Sequence, residues 1–184
     1  MIGNRRLSRF VVALAGLVAV SAFVVAAAGA QPTPSTAPGD LLDPRTYDQG
    51  SRLFLVLHAE GVQKYTCSAG GAWVFTDPEA TLFKTTGKSK PVGSHFLNFA
   101  TGRPVWEFHG GDSSVEAART QSVTGGAGNI ALLLLQAVDT SPGRLGHTTW
   151  IQRLNTSGGV APAGTCTPGA TIAVPYTADY FFWR

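Results

Sequence analysis

The chain has 184 residues, 44% of them hydrophobic and only 14% charged, with two cysteines. Three of its 14 Lys and Arg fall in the first nine residues, so residues 31–184 carry 11 basic and 11 acidic side chains. A balanced domain has no basic surplus to neutralise phosphates, which sets aside a nucleic-acid partner. The remaining length is that of one domain with a substantial core.

Arg5, Arg6 and Arg9 stand at the start without an acid, an apolar run fills residues 10–28, and Ala28-Gly29-Ala30 follows. A positive start, an apolar middle and an A-x-A exit are the three parts of a secretory signal. The expectation is a signal peptide over 1–30, cleaved after Ala30, and a secreted, extracellular product with no membrane attachment once cleaved. An uncleaved anchor is the alternative, because the apolar run approaches a span. Residues 31–48 open with QPTPSTAPG. Three prolines among Ser, Thr and Gly cannot bury enough apolar surface to order themselves, so 31–48 reads as a disordered or extended linker. The domain is then 49–184.

Within it, short runs alternate with turn residues. Residues 53–57 form a continuous apolar strand that Gly61 is expected to stop. A second run, 62–67, places Tyr65 and Cys67 on one face at period two. Gly70-Gly71 turns the chain, and Trp73-Val74-Phe75 follows, ended by Asp77-Pro78. Leu82 and Phe83 precede a solvated turn holding Lys84, Lys88 and Lys90. Residues 92–99 are another candidate strand. Pro104, Trp106 and Phe108 then alternate with Val105, Glu107 and His109, as in a half-buried strand. After Gly110-Gly111-Asp112, one face carries Val115, Ala117, Arg119, Gln121 and Val123. The apolar run 130–138 is either a short helix or a buried strand, and its length favours the strand. Trp150 and Leu154 share a face, and residues 176–183 are aromatic on both faces. This pattern predicts a single-domain all-β fold, a β-sandwich or barrel, with at most one short helix. In an oxidising compartment Cys67 and Cys166 are expected to pair.

No motif in the chain carries chemistry on its own. Gly126-Ala127-Gly128-Asn129-Ile130-Ala131 matches the dinucleotide fingerprint G-x-G-x-x-A. That chemistry needs a strand before it, a crossover helix after it and an acid about 20 residues on. The helix has no room here and residues 145–154 contain no acid, so no cofactor is expected. His58, His95, His109 and His147 show no metal-ligand spacing, and no metal is expected. His95 and His109 flank Trp106, with Asp112 close in sequence, and these three are the weak catalytic candidates. No G-x-S-x-G elbow is present. Tyr65, Trp73, Trp106, Trp150, Tyr176, Tyr180 and Trp183 are many aromatics for one domain, with Trp73, Trp106 and Trp150 foremost as candidates for stacking on a ligand, against the plainer reading that large aromatics are core. Asn155-Thr156-Ser157 is a glycosylation sequon.

Several phrases, in order and at matching spacing, resemble the DUF3455 family of exported bacterial and fungal proteins. They include AEGVQKYTC at 59–67, Trp73 with Ala80-Thr81-Leu82, Gly93-Ser94-His95, and Pro104-Val105-Trp106-Glu107. Ile151-Gln152-Arg153 with Thr156-Ser157-Gly158-Gly159, Ala161-Pro162 before Cys166, and VPYTADYFF at 174–182 complete them. The resemblance covers most of 41–184. It implies export but no activity, and residues 96–99 (FLNF) stand where the family has small residues. The expected function is a secreted, disulfide-stapled binding or structural module without catalysis, its partner a cell-surface or extracellular polymer. Two alternatives stand beside it. One is a hydrolase-like enzyme using His95, His109 and Asp112, with or without a metal. The other is a carbohydrate-binding module using exposed aromatics.

Overall fold

The computed structural model describes residues 42–84 and 90–184. The expected signal peptide, the linker as far as residue 41 and most of the lysine turn lie outside these residues. Eight strands follow in chain order. They are β1 (Leu53–Cys67), β2 (Trp73–Phe83), β3 (Pro91–Asn98), β4 (Arg103–Phe108), β5 (Ser114–Val123), β6 (Leu132–Thr140), β7 (Trp150–Gly158) and β8 (Thr171–Trp183). Each pairs antiparallel with the next, and β8 returns to β1, closing a barrel. The all-β reading holds, and the barrel is the form it takes. The one helical element among the described residues is a 3-10 turn, Pro44–Thr46. The ambiguous 130–138 run is strand β6.

Two pairs of runs separated in the sequence reading are single strands. Gly61 does not end β1. It sits opposite Ala80, and a Cβ there would lie 2.1 Å from the Glu79 carbonyl oxygen. The glycine is needed for the close approach of β1 and β2, not for a turn. Pro78 does not end β2 either. Before Ala80, β2 pairs only with β1, so one side of that stretch is an edge, where proline is tolerated. The single face expected from Val115 to Val123 is broken by register shifts at Glu116/Ala117 and Arg119/Gln121.

Antiparallel order assigns the connections to two ends. The β1–β2, β3–β4, β5–β6 and β7–β8 connections gather at one end, and the remaining three at the other. The second end is plugged. Leu57, Leu82, Val115, Ile151 and Phe182 point inward with Leu145, which the β6–β7 connection inserts. The Leu145 amide donates to the Ser113 Oγ at 2.7 Å. Toward the first end the inward positions shrink to Ala59, Gly61, Ala80, Ala117 and Ala178. Small residues there leave an eight-stranded barrel hollow, where larger ones would fill it.

A second apolar cluster lies on the outer face. Leu134, Trp150, Leu154, Phe181 and Trp183 pack under Leu42, and the Tyr47 ring lies 5.1 Å from that of Trp150, tilted by 34°. Gln152, buried among them, donates to the Leu42 carbonyl and accepts from the Trp183 indole. From Leu42 on, therefore, the stretch read as linker is part of the folded body. The two-faced aromatic run of β8 has its reason here. Tyr176, Tyr180 and Phe182 face in, while Phe181 and Trp183 face this covering segment.

Cys67 and Cys166 form the expected disulfide, with Cα atoms 5.8 Å apart. It fastens the long β7–β8 connection to the end of β1. Backbone bonds from Cys166 to Gly71 and from Gly169 to Cys67 hold the same loop.

Candidate functional site

The hollow end of the barrel contains a cavity of about 670 Å³. Its walls are aromatic and aliphatic, with Tyr65, Phe75, Trp106, Tyr180, Leu97 and Leu133 prominent among them. Volume and lining are those of a small-molecule pocket.

The floor is an aromatic stack. His95 on β3 and Trp106 on β4 are directly opposite in register. Their rings lie 4.5 Å apart and 14° from parallel. Tyr180 on β8 meets the edge of Trp106 at 5.1 Å. His95 Nδ1 donates to the Val105 carbonyl at 2.8 Å, which leaves Nε2 as the acceptor of the neutral ring. Burial lowers the His95 pKa to about 3, against the opposing pull of the Val105 bond. The ring is neutral at any ordinary pH.

Above the floor the polar groups are mostly unmatched. The Gln63 amide nitrogen, the Trp106 indole nitrogen and the Tyr176 and Tyr180 hydroxyls are buried without a hydrogen-bond partner. Buried polar groups are normally paired, so each such atom asks for a reason. All four face into the barrel. Burial pushes the Tyr176 phenol well above its usual pKa and the Tyr180 phenol up as well. Both hydroxyls therefore keep their protons; Gln63 faces Tyr176, Tyr176 faces Tyr180 and Tyr180 faces Arg153, without a hydrogen bond of good geometry between them.

Charge enters through arginines. Arg103, Arg119 and Arg153 line the cavity, and among the described residues no Asp or Glu does. Arg103 is paired with Glu116 at 3.5 Å. Arg153 lies opposite Tyr180 on β8 and Leu133 on β6. Its Nε donates to the Ala131 carbonyl at 3.0 Å, and among the described residues no carboxylate pairs with it. Its charge is felt at Tyr65, His95, Tyr176 and Tyr180 alike.

The rim is built by two loops. The glycine-rich segment read against the dinucleotide fingerprint is the β5–β6 connection. Asn129 bridges to Gly159, and its side chain accepts from the Gly158 amide at 2.9 Å. Gly159 needs its positive φ of 84°, and a Cβ there would press on Ile130, Tyr176 and Gln63. Its carbonyl accepts from the Tyr65 hydroxyl at 2.6 Å. The disulfide therefore anchors the loop whose first residues, Gly159 and Val160, shape the rim.

The residues singled out from sequence go to different places. His95 is buried in the cavity floor. His109 and Asp112 are exposed on the β4–β5 connection at the plugged end, so the three do not meet. Trp106 is in the cavity floor, Trp150 lies under the Leu42 segment, and Trp73 is half-buried at the start of β2. They form no common platform. Asn155 is exposed with φ of 50° and donates to Asp179 at 2.8 Å. Asp179 also accepts from His58 Nδ1 at 2.8 Å, on the outer wall. Among the described residues no group of three or more His, Cys, Asp or Glu is placed to hold a metal ion.

Gln63 and Arg153 were not singled out from sequence, and Tyr176 and Tyr180 were noted there only as aromatics. A sign of them was present. Gln63 shares the inward face with Tyr65 and Cys67, and Arg153 that of Ile151. A polar residue on the core face of a strand is the informative exception.

Comparison with curated proteins and with solved structures finds no match. The family model DUF3455, described as a protein of unknown function, matches residues 48–184, and the chain belongs to that family.

Proposed function

We propose that the domain is an exported binding module that holds one small molecule in the open end of its barrel. The cavity of about 670 Å³ carries this reading, because unpaired donors surround it on a pre-formed aromatic floor. An eight-stranded barrel is the size that either fills itself or encloses one small ligand. Here the small inward residues of β1, β2, β5 and β8 favour the second outcome. Export rests on the Arg5-Arg6 start, the apolar run and the Ala28-Gly29-Ala30 exit. The Cys67–Cys166 bridge fits an oxidising compartment. Among the described residues no helix is long and apolar enough to cross a membrane.

Binding is favoured over catalysis. Among the described residues His95 is the one histidine in the cavity; it is stacked, buried and neutral, and no acid lines the cavity with it. A deep pocket suits a small ligand better than a polymer, and the tryptophans offer no flat sugar-stacking surface.

The test is titration with a neutral apolar dye, N-phenyl-1-naphthylamine, against wild type and Leu133→Trp. Leu133 lines the cavity on the inward face of β6, and an indole there obstructs it. Saturable binding near one dye per chain is expected for wild type and none for the variant. Absence of saturable binding, or equal binding by Leu133→Trp, overturns the reading. Export is tested by N-terminal sequencing of the protein recovered outside cells, which should begin at Gln31.

A further inference from the structure

The polar groups of the cavity are biased in one direction. Trp106 Nε1 and Gln63 Nε2 are donors only, and both are buried without an acceptor. The Tyr180 hydroxyl lines the cavity with them and faces Arg153. Arg153 adds a guanidinium that, among the described residues, has no carboxylate partner and no acid on the cavity walls to cancel it. Gln63, Trp106, Tyr176 and Tyr180 are each at most 4% exposed, so bulk water does not readily supply the missing acceptor.

A neutral apolar ligand would leave these donors as orphaned as they are now. Each buried donor without an acceptor keeps the cost of its lost hydration. A ligand with an oxygen-rich, negatively charged head removes that cost and pairs the guanidinium. Arg153 is suited to the task, because its Nε is held by the Ala131 carbonyl while its two Nη atoms remain for a carboxylate, which guanidinium receives in a two-point grip. Tyr180 lies opposite Arg153 across the β7–β8 ladder, so its hydroxyl reaches the same end of the ligand. Trp106, His95 and the aliphatic wall take the rest.

Resting on the binding reading above, we propose that the cavity takes a small organic acid. Its carboxylate is held by Arg153 and Tyr180, and its aromatic or aliphatic body lies over the Trp106–His95 floor. No bond is made or broken.

The experiment pairs acids with alcohols of the same carbon skeleton, 4-phenylbutyrate with 4-phenylbutanol and decanoate with decanol. Binding to the mature, disulfide-intact protein is measured by calorimetry. Each acid is expected to bind at least tenfold more tightly than its alcohol. Arg153→Gln should bring the two within about twofold, and Arg52→Gln, an exposed charge at the plugged end, should leave the preference intact. Equal binding of acid and alcohol by wild type overturns the acid reading and leaves the binding module standing. Binding of neither, together with no binding of the neutral dye, overturns both. A preference for acid that survives Arg153→Gln unchanged overturns the role of Arg153. The wild-type comparison decides the ligand class whether or not the variant folds.

Discussion

The imidazole of His95 lies flat on the indole of Trp106, with ring centroids 4.5 Å apart, and donates its Nδ1 proton to the neighbouring Val105 carbonyl. The ring is buried, and its pKa is lowered from 6.5 to about 3. The unfolded chain binds a proton near pH 6.5 that the native chain refuses until about pH 3. The native state is therefore fully favoured above pH 6.5 and loses stability as pH falls through that window. The loss is on the order of a few kcal/mol. Urea midpoints from pH 8 down to pH 4 should fall accordingly, and the fall should flatten in His95→Phe. A wild-type curve no steeper than the variant's would rule out His95 as its source.

The Tyr180 hydroxyl is buried without a partner. Removing an unpaired buried polar atom is near neutral or favourable, by up to about 1 kcal/mol. Tyr180→Phe should therefore melt at or slightly above the wild-type temperature while binding 4-phenylbutyrate at least threefold more weakly. Thermal melts of the empty protein and calorimetry read the two arms separately. A clear destabilisation would mean the hydroxyl is structurally used.

The disulfide closes a loop with a sequence separation of 99. The chain-entropy model values such a closure at about 4.7 kcal/mol. Reduction with dithiothreitol, or Cys67→Ala with Cys166→Ala, should lower the melting temperature by several degrees, up to roughly 15 °C. Because the bridge anchors the rim loop, dye binding should weaken more than melting alone accounts for at temperatures where the reduced barrel is still folded. Unchanged melting on reduction would contradict the stapling role.

Leu42 is fully buried over Leu134, Trp150 and Leu154. Leu42→Ala should cost about 2–5 kcal/mol, as truncation of a buried leucine does, measured by urea denaturation. A cost under about 0.5 kcal/mol would show that this segment docks without contributing.

Much of the barrel was legible because strand faces announce themselves at period two. Pro104, Trp106 and Phe108 alternate and point inward, and the run 176–183 shows both of its faces. What escaped notice was non-local. Gly61 and Pro78 carry the local signature of strand breaks, and only the Glu79 carbonyl and the missing β3 neighbour explain why they break nothing. The bulges of β5 leave no trace in composition. The same holds for the site. His95, His109 and Asp112 are close in sequence, but His95 is buried inside the barrel while His109 and Asp112 are exposed on the β4–β5 connection. Arg153 and Tyr180 are far apart in sequence and adjacent in register. Leu42 looked like the tail of a proline-rich tether because nothing local shows the Trp150 and Trp183 surface that receives it.

The unpaired stretch of β2 before Ala80 also bears on solubility. It lies beside the cavity and exposes Val74 and Phe75, at 51% and 45%, along a backbone with free hydrogen-bonding groups. Such an edge invites a strand from another molecule. Pro78 contributes no amide there, and Lys64 bridges Asp77 and Glu79 across the same stretch. Proline and charge are the usual guards against edge-to-edge aggregation. One flank of the barrel is thus unzipped beside the cavity yet guarded against its own copies, and Pro78 is where that protection would first be lost.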